Sequence, residues 1–117
     1  MNAAVNKMIE VVSLISIKRN GVPFLDPFKT ELLKEIISSG SLRKAASNLN
    51  ISYQHAWNII SEVNHAAPSP LVIKQRGGAN GGGAIISDYG TRILKEYDLI
   101  EAEVRKVISQ INVEINL

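Results

Sequence analysis

Residues 41–63, SLRKAASNLNISYQHAWNIISEV, contain two helix starts in quick succession. Ser41 and Ser52 each stand where a side-chain oxygen can accept the free N–H groups of a following first turn. The first helix spans 42–49, with Leu42, Ala45, Ala46 and Leu49 on its inner face. The second spans 53–67, and Asn50-Ile51 between them allows only a tight connection. A small residue, Ala45 or Ala46, lets the two helices cross closely, while Leu49, Ile51, Ala56, Ile60 and Val63 fill the angle. A helix-turn-helix needs this packing, with the second helix projecting so that its first turn is free to enter a major groove. An ordinary helical hairpin inside a bundle satisfies the same pattern.

The residues that follow favour the first alternative. Pro68 and Pro70 end the second helix, and 71–87 then reads as a strand, a glycine-rich turn and a returning strand, a β-hairpin wing. Lys74 and Arg76 stand at its base. Gly77, Gly78, Gly81, Gly82 and Gly83 would let backbone approach a sugar-phosphate chain closely. A nucleotide-phosphate loop is excluded, because neither G-x-x-x-x-G-K-[ST] nor G-x-G-x-x-G is matched. A flexible loop without function is the plain alternative.

Toward the N-terminus, Asp26-Pro27 caps and starts a helix over 27–39, which Gly40 stops. Phe28, Leu32, Leu33, Ile36 and Ile37 recur along it at helical spacing. Residues 10–25 admit two readings. Val5, Met8, Ile9, Val12 and Ile15 fit a helix, but β-branched residues crowd 11–17 and Asn20-Gly21 is a strong hairpin turn, so a hairpin is expected. Pro23, lacking an N–H, makes its return strand an edge. Toward the C-terminus, a long helix is expected over 88–112. Along it Ile93, Tyr97, Ile100, Val104, Val107 and Ile111 are spaced 4-3-4-3-4, a heptad seam. The first half of that seam has its own domain to pack on. From Val104 onward little sequence remains to cover it, so self-association through these six residues is expected.

The 117 residues suffice for one domain, 1–117, and 45% apolar content supports a core. The absence of Cys excludes disulfides, thiol catalysis and thiolate metal sites, and two His exclude a His-rich one. His55 and His65 lie nearly opposite across their helix and cannot share a metal. The apolar run of 8–17 is too short for a span of roughly 20 residues, so no membrane role and a cytoplasmic location are expected. The net charge of +2 is uninformative until it is divided. Between Leu42 and Arg92 five basic residues face two acidic ones, net +3, and the remainder is −1. Positive charge is thus concentrated on the helix-turn-helix and wing, as neutralising phosphates requires.

On the projecting helix, Ala56, Ile60 and Val63 point inward. The opposite face offers Ser52, Tyr53, Gln54, His55 and Asn58. Gln and Asn can pair bidentately with adenine, while Tyr and Ser can hold phosphates. Trp57 lies on the flank, either packing beneath the wing or reaching DNA; His65 reads as a surface residue.

A family resemblance rests on these residues. Gly40-Ser41-Leu42, Ala45-Ala46, Leu49, Ile51-Ser52-Tyr53, Ala56-Trp57 and later Gly77-Gly78 with Gly81-Gly82-Gly83-Ala84 resemble the DNA-binding domain of ModE-type molybdate-responsive regulators. Ser87-Asp88-Tyr89-Gly90 is similar to the T-x-x-G element shared with LysR-type regulators. The match covers about residues 10–105. It implies a winged helix-turn-helix whose recognition helix starts at Ser52-Tyr53 and whose dimer reads an inverted repeat. Two departures bear on the operator: Gln54 stands where a basic residue is common, and Ala79-Asn80 where a Lys is often found. Full ModE proteins bind molybdate through C-terminal modules of the oligonucleotide/oligosaccharide fold. The chain ends at Leu117 without them, so a stand-alone DNA reader that binds no molybdate is expected.

The expected fold is therefore mainly α with small β: an N-terminal hairpin, a winged helix-turn-helix and a C-terminal dimerisation helix. The expected function is sequence-specific duplex-DNA binding by a homodimer acting in transcription. Tyr53, Gln54, His55 and Asn58 would probe bases. Arg43, Lys44, Ser52, Lys74, Arg76, Gly78, Asn80 and Gly81 would hold the backbone. No cofactor is implied. The alternative is a protein-interaction module that pairs with a separate sensor subunit. An enzyme is not expected, because no carboxylate pair or nucleophile–His arrangement is present.

Overall fold

A computed structural model describes residues 9–75, 83–111 and 115. Its elements run β1 (Ile17–Arg19), β2 (Val22–Leu25), α1 (Pro27–Ser39), α2 (Leu42–Asn48), α3 (Tyr53–Ala66), β3 (Val72–Gln75), β4 (Gly83–Ile86) and α4 (Asp88–Ser109). The strands form two separate antiparallel pairs, β1 with β2 and β3 with β4. The result is the mainly helical winged-helix arrangement expected.

Three helices start at the side-chain caps expected, and α4 starts at a fourth, Ser87. Asp26, Ser41, Ser52 and Ser87 accept from the backbone N–H of Lys29, Lys44, His55 and Gly90, at 2.8, 3.2, 3.0 and 3.0 Å. Gly40, at φ 73°, ends α1 in the left-handed conformation and donates to the Ile36 carbonyl. Asn20 and Gly21, at φ 52° and 78°, form the two-residue turn between β1 and β2. The paired strands are shorter than the span 10–25. Pro23 withholds a donor and Asp26-Pro27 turns the chain into α1, so residues 9–16 meet no return strand and adopt no regular structure. A register shift between Ile17 and Lys18 marks the end of pairing.

The core lies where α1, α2 and α3 meet the wing: Leu32, Leu33, Ile36, Leu42, Ala45, Ala46, Ala56, Ile60, Val63 and Leu71 are buried. Phe28 and Ile37, at the edges of α1's apolar stripe, remain exposed. Two polar contacts close the architecture. The Asn64 carboxamide donates to the Val72 carbonyl at 2.9 Å and accepts from the Leu71 and Val72 N–H groups at 2.9 and 3.2 Å, tying the start of β3 to α3. Gly90 lies against the Leu71 backbone so tightly that a Cβ there would stand 2.5 Å from the Leu71 oxygen. The glycine of the T-x-x-G-like element is therefore demanded by the docking of α4 on the base of the wing. Only 58 × 30 × 21 Å in extent, the molecule is elongated, because the outer part of α4 runs beyond the core.

Candidate nucleic-acid interface

The turn between α2 and α3 is set by local backbone chemistry. The Ile51 N–H donates to the Ala46 carbonyl at 3.0 Å, and Asn50 adopts φ 57°, a left-handed conformation that Asn tolerates better than most residues. This turns α3 away from α2 immediately and leaves its first turn at the surface. Ser52, Gln54, His55 and Asn58 are exposed there, and Tyr53 and Trp57 are half-buried. Neither α2 nor α3 carries an acidic residue in its first turn. The carboxylate of α3, Glu62, faces Lys29 of α1 at 3.7 Å.

The side chains of this surface engage one another. Gln54 donates its amide N–H to the Asn58 side-chain oxygen at 3.0 Å, one helical turn away. The bond leaves the Gln54 side-chain oxygen as an acceptor and the Asn58 amide N–H groups as donors, the two kinds of group with which Gln and Asn pair to adenine. The Arg43 guanidinium lies over the Tyr53 ring at 4.3 Å, and the Tyr53 and Trp57 rings meet edge to face at 6.1 Å. The Lys74 ammonium lies over the Trp57 ring at 4.8 Å. Lys74 reaches it because it shares a strand face with buried Val72, two residues before. Trp57 thus packs beneath the wing, the first of the two placements its position allowed. Lys44, next to Arg43 on α2, is exposed. Arg76, Gly78, Asn80 and Gly81, also expected at the interface, lie outside the described residues.

The α4 seam divides in two. Tyr97 is buried in its own domain at 2% exposure, and its hydroxyl donates to the Ile15 carbonyl at 2.9 Å. It is thereby removed from the expected dimer seam, because the N-terminal segment crosses α4 there and covers it. Burial pushes the Tyr97 phenol above its ordinary pKa. Ile93 is half-buried against the same core. Further along, Ile100 and Val107 are exposed and Val104 is half-buried; the helix ends at Ser109, not at 112, so Ile111 lies past it, exposed. Val11, Val12 and Leu14 of the N-terminal segment are exposed too, and Val11 and Val12 line shallow grooves against Ile108 of α4. Sequence reasoning missed Asn64 and the Arg43–Tyr53 contact. Asn64 was detectable as a polar residue in the apolar stripe Ile60, Val63, Ala67; nothing in the sequence pairs Arg43 with Tyr53.

Among the described residues no helix is long and apolar enough to cross a membrane. No protein-family model matches the chain. Curated relatives do. The chain is 42% identical over 88 residues to the transcriptional regulator ModE of Haemophilus influenzae, covering 75% of this chain and 34% of that protein. It is 40% identical over 87 residues to the DNA-binding transcriptional dual regulator ModE of Escherichia coli, covering 74% and 33%. To the molybdenum transport protein ModE of Azotobacter vinelandii it is 36% identical over 92 residues, covering 79% and 34%. The chain thus spans about a third of the length of these relatives. With the capped helix-turn-helix and the strand pair that follows it, this likeness makes the chain a domain of the ModE type.

Proposed function

We propose that the chain is a homodimeric, duplex-DNA-binding transcriptional regulator, working in the cytoplasm where its target lies. The observation that carries this reading is the exposed first turn of α3, free of carboxylates and flanked by Arg43 on α2 and Lys74 on β3. The Gln54–Asn58 pair reads an adenine, Tyr53 and His55 contact neighbouring base edges, and Arg43, Lys44, Ser52 and Lys74 meet phosphates. Arg76, Gly78, Asn80 and Gly81 would extend the backbone contact from the wing. Selection from a random duplex library at low salt should enrich one sequence with adenine at a fixed position. The double variant Gln54→Ala, Arg76→Ala should lose about a hundredfold in affinity. Equal binding by wild type and double variant would show the assigned site to be wrong.

Dimerisation is assigned to the outer half of α4 and the residues just past it, with Ile100, Val104, Val107 and Ile111 facing a second copy. Two recognition helices would then lie about 34–36 Å apart, one DNA turn. Sedimentation equilibrium should report a dimer that Val107→Glu converts to monomer. The exposed Val11, Val12 and Leu14 favour one rival, a surface for a separately encoded sensor. A wild-type monomer that binds no duplex would favour that rival. The residues of this chain are proposed to bind no molybdate; calorimetric titration with molybdate should give no binding heat.

A further inference from the structure

The four side chains Arg43, Tyr53, Trp57 and Lys74 come from three different elements and touch in sequence. Tyr53 and Trp57 are one helical turn apart, which places them on the same side of α3. Trp57 is half-buried against the edge of the core and is the one ring of the row that touches both Tyr53 and the wing cation Lys74. Arg43 and Lys74 are long, exposed cations that would otherwise sample many rotamers. Each instead rests on an aromatic face, at 4.3 and 4.8 Å from the ring centre. The strand alternation makes the wing contact specific: Ile73 and Gln75 point outward, while Lys74 follows Val72 toward α3.

From this juxtaposition we infer that Trp57 is the positioning residue of the interface. It sets the wing against the recognition helix through Lys74 and steadies Tyr53, which in turn orients Arg43. The inference rests on the DNA-binding reading. It assigns Trp57 no contact with bases; the indole acts by holding two cations and a phenol in place before a polyanion arrives. A cation already ordered loses less conformational freedom when it meets a phosphate, so removing the ring should weaken binding without removing any charge.

The test compares wild type, Trp57→Leu, Trp57→Phe and Lys74→Met on the duplex selected by the wild type, over a salt series. Trp57→Leu should weaken binding about tenfold while keeping the wild-type salt slope, since every cation is still present. Trp57→Phe, which keeps an aromatic face, should recover most of that loss. Lys74→Met should lower the salt slope by about one and, in the free protein, alter the emission of Trp57, the single tryptophan. Thermal melts of each variant separate misplacement from unfolding. Trp57→Leu binding as wild type, or losing affinity only in proportion to its unfolded fraction, would overturn the inference. So would Trp57 emission that ignores Lys74→Met. A wild type that binds no duplex at any salt would instead overturn the DNA-binding reading itself.

Discussion

The surface where α2, α3 and β3 meet and the surface along the outer half of α4 are made of different materials. On the first, the exposed side chains of Arg43, Gln54, Asn58 and Lys74 are polar or cationic and already engage neighbours, in Gln54–Asn58, Arg43–Tyr53 and Lys74–Trp57. On the second, apolar Val107 and, just past the helix end, Ile111 stand exposed at 59% and 52%, while Arg105 beside them pairs within the helix with Glu101 at 2.7 Å. An ordered polar surface costs nothing to leave in water and is ready for a charged ligand. An exposed apolar strip gains free energy only when another apolar surface covers it. The contrast therefore supports two partners of different chemistry, a polyanion at one end and a second copy at the other.

Four substitutions test how independent these regions are. The largest effect is expected at their joint. Gly90→Ala would press a methyl group against the Leu71 carbonyl and the Ile86 side chain, shifting both α4 and the wing. A loss of about 3 kcal/mol in denaturant unfolding is expected, with both surfaces impaired. Asn64→Ala should act on the recognition side alone. It leaves the Leu71 and Val72 N–H groups and the Val72 carbonyl without their partner, costing about 2 kcal/mol, and loosens the wing in hydrogen exchange before α4.

Tyr97→Phe probes the α4 side. It removes the hydrogen bond to Ile15 and should cost about 1 kcal/mol while leaving duplex binding unchanged. The same residue gives a pH signature. The folded phenol keeps its proton above the ordinary value of 10.0, so its contribution is complete below that pH and declines as pH rises past it. Alkaline melts of the Phe variant should lack that decline. Asp98→Asn should do least. Its pairing with Lys34 at 2.6 Å joins α4 to α1, but both side chains are 48% exposed, and a change under about 0.5 kcal/mol is expected. A larger effect would mean that α4 depends on the core more than its packing indicates.

Much of the fold was legible because its determinants are local. A capping oxygen, a proline at a first helical turn, a glycine or asparagine at positive φ, and the inward stripe Ala56, Ile60, Val63 all act within a few residues of chain. The candidate site was legible as a set of residue types: Gln54, His55 and Asn58 are exposed, as an outer face of α3 requires. Their mutual arrangement was not. Arg43 finds Tyr53 only because the Asn50 turn brings α2 beside α3, and Lys74 finds Trp57 only because the wing folds back over it.

Read from the sequence alone were the order and starts of the helices, the two strands of the wing and the concentration of positive charge between 42 and 92. These depend on side-chain chemistry repeated at short range. The tertiary structure alone decided which members of an apolar pattern are spent on the core. Tyr97 belongs to the heptad seam by spacing, yet the N-terminal segment covers it and takes its hydrogen bond. Gly90 stands out in the sequence only by its place in the T-x-x-G-like element; the Leu71 carbonyl packed against it is what excludes a side chain there. Contacts between residues far apart in the chain depend on how the elements pack, and spacing within one element carries no information about that.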